Sequence, residues 1–148
     1  MLLAEHSSVP SNRLELEILE SSALEDISHI SIVIADCTRL GVQFTLDDFG
    51  TGYSSLTYLK RLPVRTLKID QSFVCDMLND ADDLAIIKAV LGLAASFNRE
   101  VIAEGVETQA HGEALLKLGC ELAQGYGIAR PMPASEFYVW FETFNRKI

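Results

Sequence analysis

A chain of 148 residues, 49% of them hydrophobic, can enclose one compact core and is short for two, so one domain or a portion of one is expected. The formal net charge of −9 argues against a general attraction to nucleic acid polymers or an anionic membrane surface, so a phosphate ligand would need a local device such as a metal ion. No run of about 18 apolar residues occurs, and the opening MLLAEH lacks the basic start and long apolar stretch of a secretory leader, so the expected location is the cytoplasm with no membrane segment. Cys37, Cys75 and Cys120 are odd in number and lack metal-type spacing, which fits reduced thiols, and His6, His29 and His111 are too scattered to form a ligand set.

In chain order, RLELEIL at 13–19 reads as a first strand and is followed by a helical stretch over 24–40. QFTLDDF at 43–49 is the second strand, with a helix over 54–61 opened by Ser54 and Ser55. RTLKID at 65–70 is the third, followed by helical sequence over 72–97 that breaks into two near Asn79-Asp80. EVIAEG at 100–105 precedes a helix over 108–118 opened by Thr108. CELAQG at 120–125 precedes a last helix over 134–146, started by Pro133 with Ser135 and Glu136. Strands alternating with helices predict α/β units around a parallel sheet, here of five strands.

Side chains alternate along a strand, so parity decides which residues share a face. Leu14, Leu16 and Ile18 oppose Glu17; Phe44 and Leu46 oppose Thr45 and Asp47; Leu67 and Ile69 oppose Thr66 and Lys68. Glu104 and Gln124 stand at the ends of the last two runs. A single acid or lysine at a strand end is ordinarily a solvated rim charge. Five polar residues at the same end of five parallel strands converge on one rim, where α/β barrels and open sheets keep their chemistry. Asp47 and Asp48 before Gly50 are also a common turn composition, but two adjacent acids closing an apolar strand are better explained by a divalent cation they share.

ELEILES at 15–21, LDDFGTGYSSLTYLKRLPVRTLKIDQSFV at 46–74, VIAEGVET at 101–108 and AQGYGIARPMP at 123–133 resemble successive motifs of the EAL domain, a family that hydrolyses cyclic di-GMP to a linear dinucleotide. The resemblance runs from about residue 10 to 140 and implies a (β/α)8 TIM-barrel-like fold with its active site on the C-terminal rim, here truncated to about five βα units in a single partial domain over residues 1–148. It implies Glu17, Asp47, Asp48 and Glu104 as metal-site acids, with Asp48 and Glu104 also serving catalysis. It places Lys68 near the attacking water, Gln124 beside the same centre, and Glu107 as the residue steadying the loop from Phe49 to Leu56. The implied cofactor is Mg2+ or Mn2+, two ions per site, and the implied small-molecule partner is cyclic di-GMP. Carboxylates and an amide are the hard oxygen donors such ions take, and Gly50 and Gly52 would let the following loop turn and move.

The chain also departs from the family pattern. The EAL tripeptide, whose glutamate is a metal ligand, is not in these residues, nor are the arginine and the second metal-binding residue that accompany it. Five strands against eight leave a barrel unclosed, so the expectation is impaired activity and a homodimer or higher oligomer formed through exchanged elements. Leu19 stands where the family has threonine, and Gly127-Ile128-Ala129 replaces an aromatic-bearing loop. A non-enzymatic signalling remnant, binding nucleotide or dimerising, is the second reading. A phosphoacceptor receiver domain is a poor third, because there the acidic pair closes the first strand and the lysine comes last.

Overall fold

The computed structural model describes residues 9–52 and 56–145. Five strands, β1 (Glu15–Leu19), β2 (Gln43–Phe49), β3 (Thr66–Ile69), β4 (Glu100–Ala103) and β5 (Leu122–Ala123), form one sheet in the order of the chain, every neighbouring pair parallel. Between and after them run α1 (Glu20–Glu25), α2 (Ile27–Arg39), α3 (Leu56–Arg61), α4 (Gln71–Asp76), α5 (Ala81–Ser96), α6 (Gln109–Lys117) and α7 (Ala134–Asn145). Parallel neighbours require a crossover between successive strands, and a helix supplies each one.

All five expected strands form, the second over its full expected length and the others with trimmed ends. The stretch expected as one helix over 24–40 is instead two. Asp26 adopts a non-helical conformation, φ −145° and ψ 76°, and its carboxylate accepts from the His29 amide at 3.0 Å, so it caps α2 and interrupts the run. The break near Asn79-Asp80 forms where expected, with Asp80 accepting from the Asp82 amide at 2.8 Å to start α5. Thr108 likewise accepts from the His111 amide at 3.3 Å to start α6. Ser54 and Ser55 lie outside the described residues.

The two faces of the sheet differ in chemistry. One carries Phe44, Leu46, Leu67, Ile69 and Ala103, all buried against the helices, with Ile34 of α2, Ile87 and Val90 of α5, and Leu115 of α6 in the same cluster. Burying a side chain such as Leu67 or Ile69 completely contributes about 2 kcal/mol, so this face holds the sheet to its helical layer. In register, the opposite face carries Glu15, Glu17, Thr45, Asp47, Thr66 and Lys68. Thr45 and Thr66 are buried on it, and the Thr45 hydroxyl is hydrogen-bonded to the Glu15 carboxylate. A polar face directed away from the helices is the lining of a barrel wall, and its C-terminal end is where the strand-end acids gather.

Candidate active site

Lys68, on β3 at the centre of the sheet, organises the rim. Its Nζ lies 2.9 Å from Glu17 of β1, 3.0 Å from Asp47 of β2 and 2.7 Å from Glu104, the residue that follows β4. The Gln124 amide, just past β5, is hydrogen-bonded to the Glu104 carboxylate. The five polar strand-end residues therefore form one connected cluster. The Lys68 side chain is 5% exposed, Glu104 14% and Asp47 17%, whereas Glu17 on the edge strand is 55% exposed.

Burial alone would push the Lys68 ammonium towards neutrality, but the hydrogen bonds to Glu104, Glu17 and Asp47 outweigh it, and its pKa rises well above the ordinary lysine value. The three carboxylates thus favour the charged form of Lys68. Glu104 is raised by burial and by the charges of Asp47 and Glu17, with Lys68 opposing both effects.

Asp48 reaches the cluster by a route that alternation does not predict. The β2–β3 register shifts between Leu46 and Phe49, and Asp48 has φ 55°, in the left-handed region. This bulge places consecutive aspartates on one site. Asp47, Asp48 and Glu104 each offer a carboxylate oxygen, all within 4.8 Å of one another. Asp48 is raised by burial, by Asp47 and by Asp70. Three hard oxygen donors with too little positive charge between them fit a divalent cation of the Mg2+ or Mn2+ class. Asp47 Oδ1 adds to that fit: it is buried with the Lys68 ammonium 3.0 Å away, and a carboxylate oxygen has a second lone pair to offer a cation. Glu17 belongs to the lysine cluster and stands outside this group of three.

The loop after the acidic pair has a different anchor from the one expected. Glu20, the first residue of α1, is 2% exposed, and its Oε2 accepts from the amides of Gly50 at 3.0 Å and Gly52 at 3.2 Å. Gly50, at φ 105°, has Phe73 of α4 3.0 Å from where a Cβ would stand, and Glu20 crowds the same point at Gly52 within 3.2 Å. Among the described residues no hydrogen bond joins Glu107 to this loop, of which 53–55 lie outside them. Glu107 is exposed and lines a cleft of about 620 Å³ with Gln71, Glu104, Gln124, Tyr126 and Arg130. The physical reason is chain path: Glu107 follows β4, two strands from the loop, whereas Glu20 leaves β1 beside β2.

Sequence reading passed over Glu20, Asp70 and the Tyr126–Arg130 pair, whose guanidinium carbon sits 4.4 Å from the ring centroid. Asp70 shares parity with Lys68 and extends the strand-end pattern by one position, a usable signal. Glu20 opens the helix three residues after Glu17, but no pattern says that it turns towards the glycines.

The chain matches the EAL domain family over residues 1–131. It is 46% identical over 134 residues to the bifunctional diguanylate cyclase/cyclic di-GMP phosphodiesterase MucR of Pseudomonas aeruginosa, a match covering 90% of this chain and 19% of that protein. It superposes on the solved PaMucR phosphodiesterase in complex with c-di-GMP with a TM-score of 0.87 at 44% identity, over 91% of this chain and 54% of that one. The manganese/cyclic di-GMP complex of Klebsiella pneumoniae BlrP1 gives 0.79 at 29% identity, over 88% of this chain and 33% of that one. The chain thus spans about half of the MucR phosphodiesterase structure and a fifth of the full MucR protein. Its parallel sheet is a portion of their TIM-barrel-like fold, and it belongs to the EAL domain family.

Proposed function

We propose that this chain carries one wall of a cyclic di-GMP phosphodiesterase site, which opens the cyclic dinucleotide by hydrolysing one phosphodiester to give linear pGpG. The observation that carries the reading is Lys68, ion-paired to three strand-end carboxylates beside the Asp47–Asp48–Glu104 group on the rim of a parallel sheet. Asp47, Asp48 and Glu104 would hold Mg2+ or Mn2+, with Glu17 and Gln124 completing the donor set. Bound there, such ions lower the pKa of a water and neutralise the phosphate oxygens. Lys68, ion-paired to three of these carboxylates, would fix their orientation and offset negative charge that builds on the phosphorus oxygens. Water adds to phosphorus, the bond to the ribose 3′ oxygen breaks, and that oxygen leaves with a proton. The proton lost by the attacking water balances the one that the 3′ oxygen takes up, and Glu104, ion-paired to Lys68, would serve as an ionised ligand.

The chain by itself is expected to be strongly impaired in hydrolysis, because Glu17 is more than half exposed and the wall opposite this sheet is not formed by the described residues. That exposure also favours a second reading, a module that binds the nucleotide without turning it over. Among the described residues no helix is long and apolar enough to cross a membrane. Self-association through the open sheet edges is the expected state of the chain alone.

Calorimetric titration with cyclic di-GMP in Ca2+, paired with product analysis in Mg2+, tests these statements. Cation-dependent binding with little pGpG is expected. Full turnover would overturn the claim of impairment, and a folded chain showing neither binding nor product would overturn the nucleotide assignment altogether.

A further inference from the structure

Helix α4 sits on the core through Val74, which is fully buried, and the chain just past it through Met77, 2% exposed. That seat leaves its flanks against the two turns that present the rim acids. On one flank Phe73 packs against Gly50, two residues after Asp48, with Cε2 3.0 Å from where a Cβ would stand. On the other, Gln71 and Cys75, one helical turn apart, meet Gly105, the residue after Glu104. A Cβ on Gly105 would stand 2.6 Å from Gln71 Cβ and 3.3 Å from Cys75 Sγ, and the Cys75 thiol donates to the Gly105 carbonyl at 3.6 Å. Asp70, which starts α4 by accepting from the Ser72 amide at 2.9 Å, neighbours Asp48 as well. The helix therefore touches the backbone beside both carriers of the acidic group. It does so at glycines with φ 105° and 70°, where no side chain cushions the contact.

We infer that α4 is a spacer that sets the distance between the Asp47–Asp48 pair and Glu104, with Phe73 and Gln71 as positioning residues, and that this spacing makes the site select a small divalent cation over a larger one. The inference rests on the reading of those three acids as a cation site. Strand pairing alone does not fix the distance. The β2–β3 register is broken around Asp47 and Asp48, Glu104 lies past the end of β4, and β3 separates β2 from β4. Oxygens bound to one Mg2+ ion at about 2.1 Å stand at most about 4.2 Å apart, and those around Ca2+, at up to about 2.6 Å, at most about 5.2 Å. The three carboxylate oxygens lie within 4.8 Å of one another. A change of about half an ångström in their spacing therefore moves the site from one ion towards the other.

The test measures the Mg2+ and Ca2+ affinities of the 148-residue chain by competition against the paramagnetic signal of Mn2+, and takes their ratio. Phe73→Leu removes the ring atom that meets Gly50 and should weaken Mg2+ binding by roughly tenfold while Ca2+ binding changes little, so that the ratio falls. Gly105→Ala pushes the Glu104 turn off α4 and should lower the ratio in the same direction. Gln71→Gly in that background removes the Cβ it meets and should restore most of the ratio, although the strain of a side chain at φ 70° persists. Ile34→Val, a core substitution on α2, lowers stability and leaves the ratio unchanged. A ratio unchanged in both Phe73→Leu and Gly105→Ala, one lowered equally by Ile34→Val, or an unaltered chain that prefers Ca2+ would overturn the inference while leaving the cation site in place. An unaltered chain that binds neither ion would overturn both. Selective Mg2+ binding that the variants lose, without hydrolysis, leaves the inference standing and counts against the hydrolase reading alone.

Discussion

Lys68 and Glu20 are both buried and charged, and their environments have opposite consequences. Replacing Lys68 with methionine leaves Asp47 and Glu104 without a counter-charge, and such losses typically cost about 3 kcal/mol. The expected result is a large drop in urea stability at pH 7, recovered in part by acidification or by Mn2+, as read from denaturation midpoints. In the unaltered protein the Lys68 pKa is raised, so its stabilisation is complete below the ordinary lysine range and is lost only as strong alkali titrates it. Glu20 is also raised, by burial first, with the Gly50 and Gly52 amides opposing. For an acid that sign means the folded state holds the proton more tightly, so stability due to Glu20 grows as pH falls through the raised value towards the ordinary carboxylate range. Glu20→Gln keeps an acceptor for the two amides and should flatten that part of the pH–stability curve. Glu20→Ala removes the acceptor and should cost about 1–3 kcal/mol and speed exchange at the Gly50 and Gly52 amides.

The connections between elements depend on close backbone contact. After β5 the chain crosses the segment following β4: the Val106 amide donates to Gln124 O at 3.1 Å and the Gly127 amide to Val106 O at 2.8 Å. A Cβ on Gly125 would stand 2.3 Å from Val106 N, and one on Gly127 2.5 Å from the Glu107 carbonyl. Gly125→Ala is therefore expected to destabilise by about 2–3 kcal/mol and to loosen Gln124 from Glu104, checked by thermal melting with cation affinity measured alongside. The β2 bulge is a second such device. Helix boundaries followed from local chemistry at Asp80 and Thr108, which have polar side chains at the start of apolar-periodic runs. The division at Asp26 could have been read in the same way, but the apolar residues on either side of it continue a helical period and hide the cap.

For the molecule as a whole, the acid-rich rim predicts that divalent cations bind and stabilise the folded chain. Titrating Mn2+ should raise the melting temperature, with Asp47→Asn and Asp48→Asn each removing most of the rise; equal shifts in all three proteins would show that the rim is not the cation site. Period-two alternation placed Glu17, Asp47 and Lys68 on the face opposite the apolar residues, because parity is a property of the strand itself and needs no partner, and strand ends alone placed Glu104 and Gln124 at the same rim. The number of strands, their succession along the chain, the apolar and polar faces, and the end at which the charges collect were legible in the residues alone. Folding in three dimensions was needed to show that Lys68 gathers three carboxylates, that a shifted register brings Asp48 beside Asp47, and that Glu20 accepts from the Gly50 and Gly52 amides. Those outcomes depend on pairing register and on which elements become neighbours, and both are set by packing between segments far apart in the chain.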